Sequence, residues 1–476
     1  MVLIPHLHCN KSRVVVHPFF FPQRTKFSYK VLIWFLGLGT LSGLERGYAQ
    51  NFTSYFSGNP NNIQRIPLGG VCMMGGATEN DSAMTWFLRQ ANGGDLVVLR
   101  ASGSNGYNAY MLGLPGTSLN SVESIVCNNA ASGDDTGIIR RIEGAEALWF
   151  AGGDQYNYVT YWRNKAVGRA IQRAILQRNV PVGGTSAGMA ILGEFYFAAR
   201  NGTLSSANAL ANPFHYQVTV DSQTFLGIPA MTSIITDTHF DNPDRRGRLA
   251  VMLARIRNDY GIWAKAIACD ESTAVCLDSS GWARVYGDDP GGNDKAWFVQ
   301  SNCELPLRDP ENCTAGSPLN WNRGGSALRV AMLAGTPNGN NRFYLGDWRS
   351  VQGSATWYRW SVVQGQFLQA NSSVLNCTSG TGYQEGAKPR FRLYPNPAGF
   401  HVFFEILENL GADEVHLTAR NNLGQVIRQI QIPKDLTCIP LSTQDWGTGL
   451  VQLTLHSNSG KMWSEWLHLN PDKTFY

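Results

Sequence analysis

Metal-ligand spacing is missing from this 476-residue chain: neither C-x-x-C nor H-x-x-x-H occurs, which removes the common zinc patterns as a basis for its chemistry. No metal and no cofactor are therefore expected. Charge is sparse, at 16% Asp, Glu, Lys and Arg. The small formal excess of +4 is carried by the first 49 residues, where Lys11, Arg13, Arg24, Lys26, Lys30 and Arg46 face the single acid Glu45. Setting that +5 aside leaves −1 for the remainder, which supplies no electrostatic reason to expect nucleic acid or an anionic membrane surface as a partner. Past the leader no apolar run is long enough to cross a bilayer, and no internal repeat or low-complexity tract is present.

The leader, residues 1–49, reads as a secretory signal. Basic residues up to Lys30 precede an apolar run, Val31 to Leu44, with Gly47-Tyr48-Ala49 as a cleavage site before Gln50. An uncleaved membrane anchor is the alternative, although 14 apolar residues are short for a span. Nine cysteines suit an exported chain without making a dense scaffold, and Cys9 leaves with the leader. Cys303 and Cys313, flanking a polar loop, are the best disulfide pair, while Cys269 and Cys276 lie on apolar runs and read equally well as reduced core residues.

What is abundant is apolar material, 43% of residues, enough for two or three domains. Strand-like Gly70 to Met74, Asp95 to Arg100 and Ala147 to Phe150 alternate with helix-like Asp81 to Ala91 and a helical region running to Arg178. That alternation predicts an α/β fold with a mostly parallel sheet and helices on both faces, and puts site residues at the carboxyl ends of strands. From Ser279 to Gln369 the helical pattern ends and strands and loops take over. Residues 50–378 form the expected catalytic domain, 379–390 a linker, and 391–476 a small β-sandwich built from short alternating runs such as His401 to Ile406 and Val426 to Ile432.

Gly184-Thr185-Ser186-Ala187-Gly188 places a serine between strand-like Val180 to Val182 and the apolar helix start Met189 to Leu192. Such a turn presents the hydroxyl outward, and the helix N-terminus offers unpaired N–H groups to a developing oxyanion. A serine nucleophile needs a base. Three of the nine histidines, His6, His8 and His17, lie in the leader and four, His401, His416, His456 and His468, in the C-terminal module, leaving His215 and His239. His215 reads as a surface or packing residue. His239 precedes Asn242-Pro243, a cap and first-turn pair for a helix whose N-terminus would keep the imidazole neutral. Arg245 is a candidate for a substrate carboxylate, whereas a solvated helix face accounts for Arg246 and Arg248.

Together these blocks resemble the cyanophycinase-like branch of the S51 serine peptidases, which also contains aspartyl dipeptidases. The resemblance covers Gly69 to Trp360 through Gly75-Gly76, Leu99 to Ser104, Phe150 to Gln155, Gly183 to Gly188, Asp237 to Asn242 and Cys269 to Ala274. It implies a class I glutamine amidotransferase-like fold, Ser186 as nucleophile and His239 as general base. It also implies an oxyanion hole from Ala187, Gly152 and Gly153 and a pocket position at Gln155, while Asp154, Asp237 and Arg245 are further substrate-side candidates. The implied substrates are cyanophycin-like polymers and aspartyl or isoaspartyl peptides.

The family takes a Glu or Asp from between the serine and the histidine, yet Phe195 to Val220 contains neither. Asn208 falls where the acid is expected and is the candidate third member; Glu194, Asp221 and Asp237 are alternative orienters. Substituting the acid leaves open a catalytically impaired surface protein that binds such peptides, and an α/β-hydrolase esterase is a further alternative. Tyr394-Pro395-Asn396-Pro397 and Asn421 to Val426 resemble a type IX secretion sorting domain, which implies a secreted or cell-surface location and the secretion machinery as a partner, with no stable membrane span in the mature chain.

Overall fold

A computed structural model describes residues 51–376, except 223, 224 and 290, and, beyond them, the strands between 391 and 469 with a few flanking residues. The expected leader, the linker 379–390, Pro395 to Pro397, Asn422 to Gln425 and the segment 470–476 lie outside the described residues. Residues Gln50–Thr381 make one compact unit, and the C-terminal strands belong to another.

The first unit is built on two mixed sheets. One runs in the order Phe52–Gly58, Ser121–Cys127, Asp95–Arg100, Ala147–Phe150, Val182–Thr185, Val71–Met74, Ala274–Leu277, Trp282–Tyr286, Arg342–Tyr344 and Val351–Gln352. Its inner five strands, from Ser121–Cys127 to Val71–Met74, are parallel, and the flanking pairings are antiparallel. The expectation of a mostly parallel sheet is corrected by the second sheet. There only Lys265–Cys269, Ile234–Asp237 and Phe195–Phe197 pair in parallel. Val220–Ser222 closes one edge, while Lys295–Ser301, Leu328–Ala334, Thr356–Val363 and Gln366–Asn371 extend the other, all antiparallel. The Gly-, Asn- and Trp-rich segment after Ser279 supplies these strands. Its short runs separated by turn residues carry strand character but no crossover helices, so the pairings are antiparallel, with Thr356–Val363 and Gln366–Asn371 joined as a tight hairpin and the others through longer connections.

Alternation along each strand decides what each face meets. On the first sheet Cys72, Met74, Leu96, Val98 and Trp149 pack with Ala83, Met84, Phe87 and Leu88 of the helix Asp81–Arg89. That helix begins at Asn80, whose side chain accepts the Ala83 amide at 3.0 Å. The opposite face, with Val71, Met73, Leu148 and Phe150, shares a buried cluster with Ile138, Val159 and Ile171 from three helices and with Ile267, Cys269 and Phe298 from the second sheet. The helical region after Gly153 is two helices, Gln155–Trp162 and Ala166–Arg178. Burying Trp162 and Val167 along with Ala170 and Ile171 removes enough apolar surface to drive this packing. Across the second sheet lies Arg246–Tyr260, which buries nine residues between Gly247 and Ile256.

In the other unit, Phe391–Tyr394, His401–Ile406 and Cys438–Ser442 form a three-stranded antiparallel sheet. Val426–Ile432, Val415–Arg420, Gly449–Ser457 and Met462–Leu469 form a four-stranded one. Val402, Phe404 and Leu441 share one buried cluster with Leu417, Leu453 and Leu467.

Candidate active site

Ser186 directly follows the parallel strand Val182–Thr185 and caps the single turn Ala187–Ala190. Its backbone sits at φ 51° and ψ −116°, a conformation that L-residues seldom hold and that lifts the side chain out of the turn. Gly184 and Gly188 make this possible. A Cβ on Gly184 would come 2.5 Å from the Gly188 carbonyl carbon, and one on Gly188 would come 2.0 Å from the Phe150 oxygen. The helix is shorter than the apolar run Met189 to Leu192 suggested, because the chain turns at Gly193 into the strand Phe195–Phe197.

Ser186 Oγ lies 2.8 Å from His239 Nε2, and His239 Nδ1 lies 2.6 Å from Glu271 Oε1. The second sheet delivers both partners. Ile234–Asp237 and Lys265–Cys269 are parallel neighbours with Asp237 opposite Ala268, so the chain reaches His239 and Glu271 at adjacent strand ends. Ser186 arrives from the first sheet. The two sets of strand ends converge, so nucleophile and base come from different sheets. Gly75-Gly76 joins them: the Gly75 oxygen accepts the His239 amide at 2.8 Å, and a Cβ on Gly76 would come 2.4 Å from ring atoms of His239. Only a glycine at Gly76 leaves room for the imidazole.

Asn208 does not take the third position. It lies exposed in the helix Ser206–Ala211, and its backbone amide is capped by Ser205 Oγ at 3.1 Å. Both ring nitrogens of His239 are already engaged by Ser186 and Glu271. Glu194 meets the Ser233 amide, and Asp221 pairs with Arg163 at 3.1 Å, so neither orients His239. Asp237 is bound instead to Arg248, in a buried pair in which each side chain is 3% exposed. Arg248 is thus no part of a solvated face: its Nε donates to Asp237 at 3.0 Å and its guanidinium stacks 5.1 Å from the Phe197 ring. Helix Arg246–Tyr260 starts later than Asn242-Pro243 implied, so His239 is held by Gly75, Gly76 and Glu271 rather than near a helix N-terminus.

Glu271 is fixed on both sides. Asn242 Nδ2 donates to Oε2 at 3.2 Å, and the Glu271 amide donates to Asp241 Oδ1 at 2.9 Å. The His239 hydrogen bond holds its carboxyl below the usual glutamate range. Next to it, Asp270 is buried and pushed up to about 7 by desolvation, although the Trp297 indole donates to it at 3.0 Å.

A cavity of about 380 Å³ opens beside Ser186 and is lined by Gly153, Asp154, Gln155, Thr203, His239 and Arg245, with Asp237 and Arg248 in its wall. Gln155 is anchored to the Phe197 carbonyl at 3.1 Å, and Asp154 caps its helix through the Tyr156 amide at 2.9 Å. Arg245 donates to the Thr238 carbonyl at 2.8 Å and, among the described residues, forms no ion pair. Burial and the neighbouring Arg248 charge lower it to about 10. Among the described residues it is the cavity's one arginine without an ion-pair partner, since Arg248 is paired with Asp237, and it faces the same space as Asp154. Gly152 lies next to the serine, 3.6 Å from the Ser186 Cβ to a Cβ built on the glycine, and Gly153 turns with φ 146° into the next helix. Ala187 is the first helical residue, so its amide is among those a helix leaves without an internal partner.

Residues 116–211 match the family described as Peptidase family S51. That segment contains Ser186 and ends before His239 and Glu271. The chain is 28% identical over 146 residues to a cyanophycinase of Trichormus variabilis, a match covering 31% of this chain and 44% of that protein. It is 24% identical over 166 residues to a cyanophycinase of Synechococcus elongatus, covering 35% and 47%. The chain thus spans about half the length of these curated relatives. A crystal structure of a peptidase from an acI-B1 Actinobacterium aligns with 48% of this chain and 90% of its own at 14% identity and a TM-score of 0.35. Similarity to S51 peptidases and cyanophycinases supports a peptidase-type hydrolase.

Proposed function

We propose that this protein is an exported serine hydrolase that cleaves amide bonds in cyanophycin-like polymers or aspartyl and isoaspartyl peptides. The observation that carries the reading is the relay Ser186–His239–Glu271, at 2.8 and 2.6 Å, beside a cavity bearing Arg245. His239 Nε2 takes the Ser186 proton as Oγ attacks the scissile carbonyl carbon. The donors assigned to the oxygen on which charge develops are the amides of Ala187, Gly152 and Gly153, which lie at the start of the helical turn and in the turn beside Ser186. The C–N bond breaks as the imidazolium gives its proton to the leaving nitrogen, and water repeats the sequence to free the acyl group. Glu271 keeps the proton of the neutral ring on Nδ1 and balances the charge that forms. Arg245 suits a carboxylate on the substrate's acyl side through its planar donors.

The alternative, an impaired protein that binds such peptides, rests on the lack of an acid between serine and histidine, and Glu271 at 2.6 Å from His239 favours turnover over it. The esterase alternative has no feature here that favours it. The leader supports export, and the sequence of the C-terminal module supports type IX sorting to the cell surface. Release of β-aspartyl-arginine from cyanophycin, or of aspartate from β-aspartyl dipeptides, tests the chemistry. Ser186→Ala is expected to abolish release with the fold intact, and unchanged turnover in that variant would overturn the mechanism.

A further inference from the structure

Beneath the site, two thiols meet across the strands that support it. Cys72 lies in Val71–Met74, Cys276 in Ala274–Leu277, and the antiparallel register sets them directly opposite each other. Their sulfurs are 3.6 Å apart and both side chains are fully buried. The phase of the ladder makes the pair suitable for a bond. The Gly75 amide donates to the Thr273 oxygen at 2.9 Å, so hydrogen-bonded positions fall at Gly75/Thr273 and every second pair from there. Cys72/Cys276 therefore occupies a non-hydrogen-bonded position, where facing α-carbons lie about 4.5 Å apart, inside the range a disulfide spans.

We propose that Cys72 and Cys276 are a disulfide-forming pair that closes while the chain folds in an oxidising compartment. In the balanced step, one thiol loses its proton and attacks an external disulfide, releasing one thiol. The second cysteine then attacks that mixed disulfide, releasing another, so two cysteine thiols are oxidised as one external disulfide is reduced. Closure has to precede burial, because desolvation pushes the finished core's Cys276 thiol well above its ordinary value and keeps it protonated. In the structure Cys303 is disulfide-bonded, although not to Cys313, which is free, so the expected Cys303 to Cys313 pair does not form.

The bond would join positions 204 residues apart. It would also tie together the two connections on which the relay stands. Val71–Met74 runs into Gly75-Gly76, which seats His239, and Ala274–Leu277 begins three residues after Glu271. Such a link restrains those connections against each other without touching a reacting atom.

The test is refolding of the reduced full chain in a glutathione redox buffer, followed by alkylation in denaturant without reduction and peptide mass mapping. The expected result is a linked peptide pair carrying Cys72 and Cys276, with Cys127, Cys269 and Cys313 alkylated. Reduction is expected to lower the midpoint of thermal unfolding of the wild type by about 5 °C more than that of Cys72→Ala/Cys276→Ala. Alkylated Cys72 and Cys276 in molecules whose Cys303 is disulfide-bonded would overturn the proposal, as would equal effects of reduction on the two proteins.

Discussion

Replacing Glu271 by glutamine keeps the volume of the side chain and removes only its charge. In the native site Glu271 Oε1 lies 2.6 Å from His239 Nδ1 and Ser186 Oγ 2.8 Å from Nε2, and an ionised Glu271, which can only accept, favours the tautomer that donates from Nδ1 and accepts from Ser186 at Nε2. Glutamine can turn its NH₂ group toward Nδ1 instead. The ring then carries its proton on Nε2 and cannot take one from the serine. Removing the charge of a triad acid has cost about 10⁴ in kcat, or about 5.5 kcal/mol of transition-state stabilisation. Here His239 and Glu271 are 24% and 27% exposed, so water reaches the pair and softens the loss. The expected decrease in kcat/KM for β-aspartyl-arginine release is therefore about 10² to 10⁴, with KM changed little. The assay is steady-state release at neutral pH, with far-ultraviolet circular dichroism to show an intact fold. A rate within threefold of wild type would refute the placement of Glu271 in the relay.

Gly76→Ala forces a methyl within 2.4 Å of the His239 ring at a backbone φ of 116°, so release should fall by about 10² or more while the protein stays folded by circular dichroism. Asn208→Glu should leave turnover within about twofold of wild type in the same assay, because that residue is exposed and both ring nitrogens of His239 are engaged by Ser186 and Glu271. Asp270 is protonated in the fold up to about pH 7 and ionises nearer 4 when unfolded. Between those values the folded state binds the extra proton, so stability falls as pH rises through the window. Asp270→Asn should cancel that slope and raise the urea midpoint at pH 8, an effect worth up to about 4 kcal/mol. Glu271 has the opposite sign: its lowered value contributes stability above the ordinary glutamate range, lost on acidification through the lowered value, and Glu271→Gln should flatten that part of the pH profile of unfolding. Arg248→Met strands the Asp237 carboxylate in the core and should cost about 3 to 5 kcal/mol in chemical denaturation.

The positions of Ser186 and His239 at strand ends are legible because their signals are local. A serine between glycines after an apolar strand, and the short list of histidines outside the leader and the C-terminal module, need no knowledge of distant contacts, although the helix cap expected at Asn242-Pro243 does not form. The third partner was missed for the opposite reason. The family pattern points to an acid between serine and histidine, in Phe195 to Val220, whereas strand pairing brings one from 32 residues beyond the histidine. Glu271 stood in the block Cys269 to Ala274 with no role given to it, and only the parallel register of Lys265–Cys269 beside Ile234–Asp237 reveals its place. The same limit applied to Arg248, since helical periodicity does not show that a second sheet covers that face. Likewise the parallel core is readable from strand and helix alternation, but the second sheet is not, because most of its pairings, such as Lys295–Ser301 with Leu328–Ala334 and Leu328–Ala334 with Thr356–Val363, join strands that local pattern does not connect.

Labelling with a reactive phosphonate, read by intact and peptide mass, tests the central claim most directly. One adduct per chain on Ser186, lost in His239→Ala and slowed in Glu271→Gln, is the predicted result. A folded wild-type protein that stays unlabelled, or one labelled at Ser186 equally fast without His239, would contradict the relay.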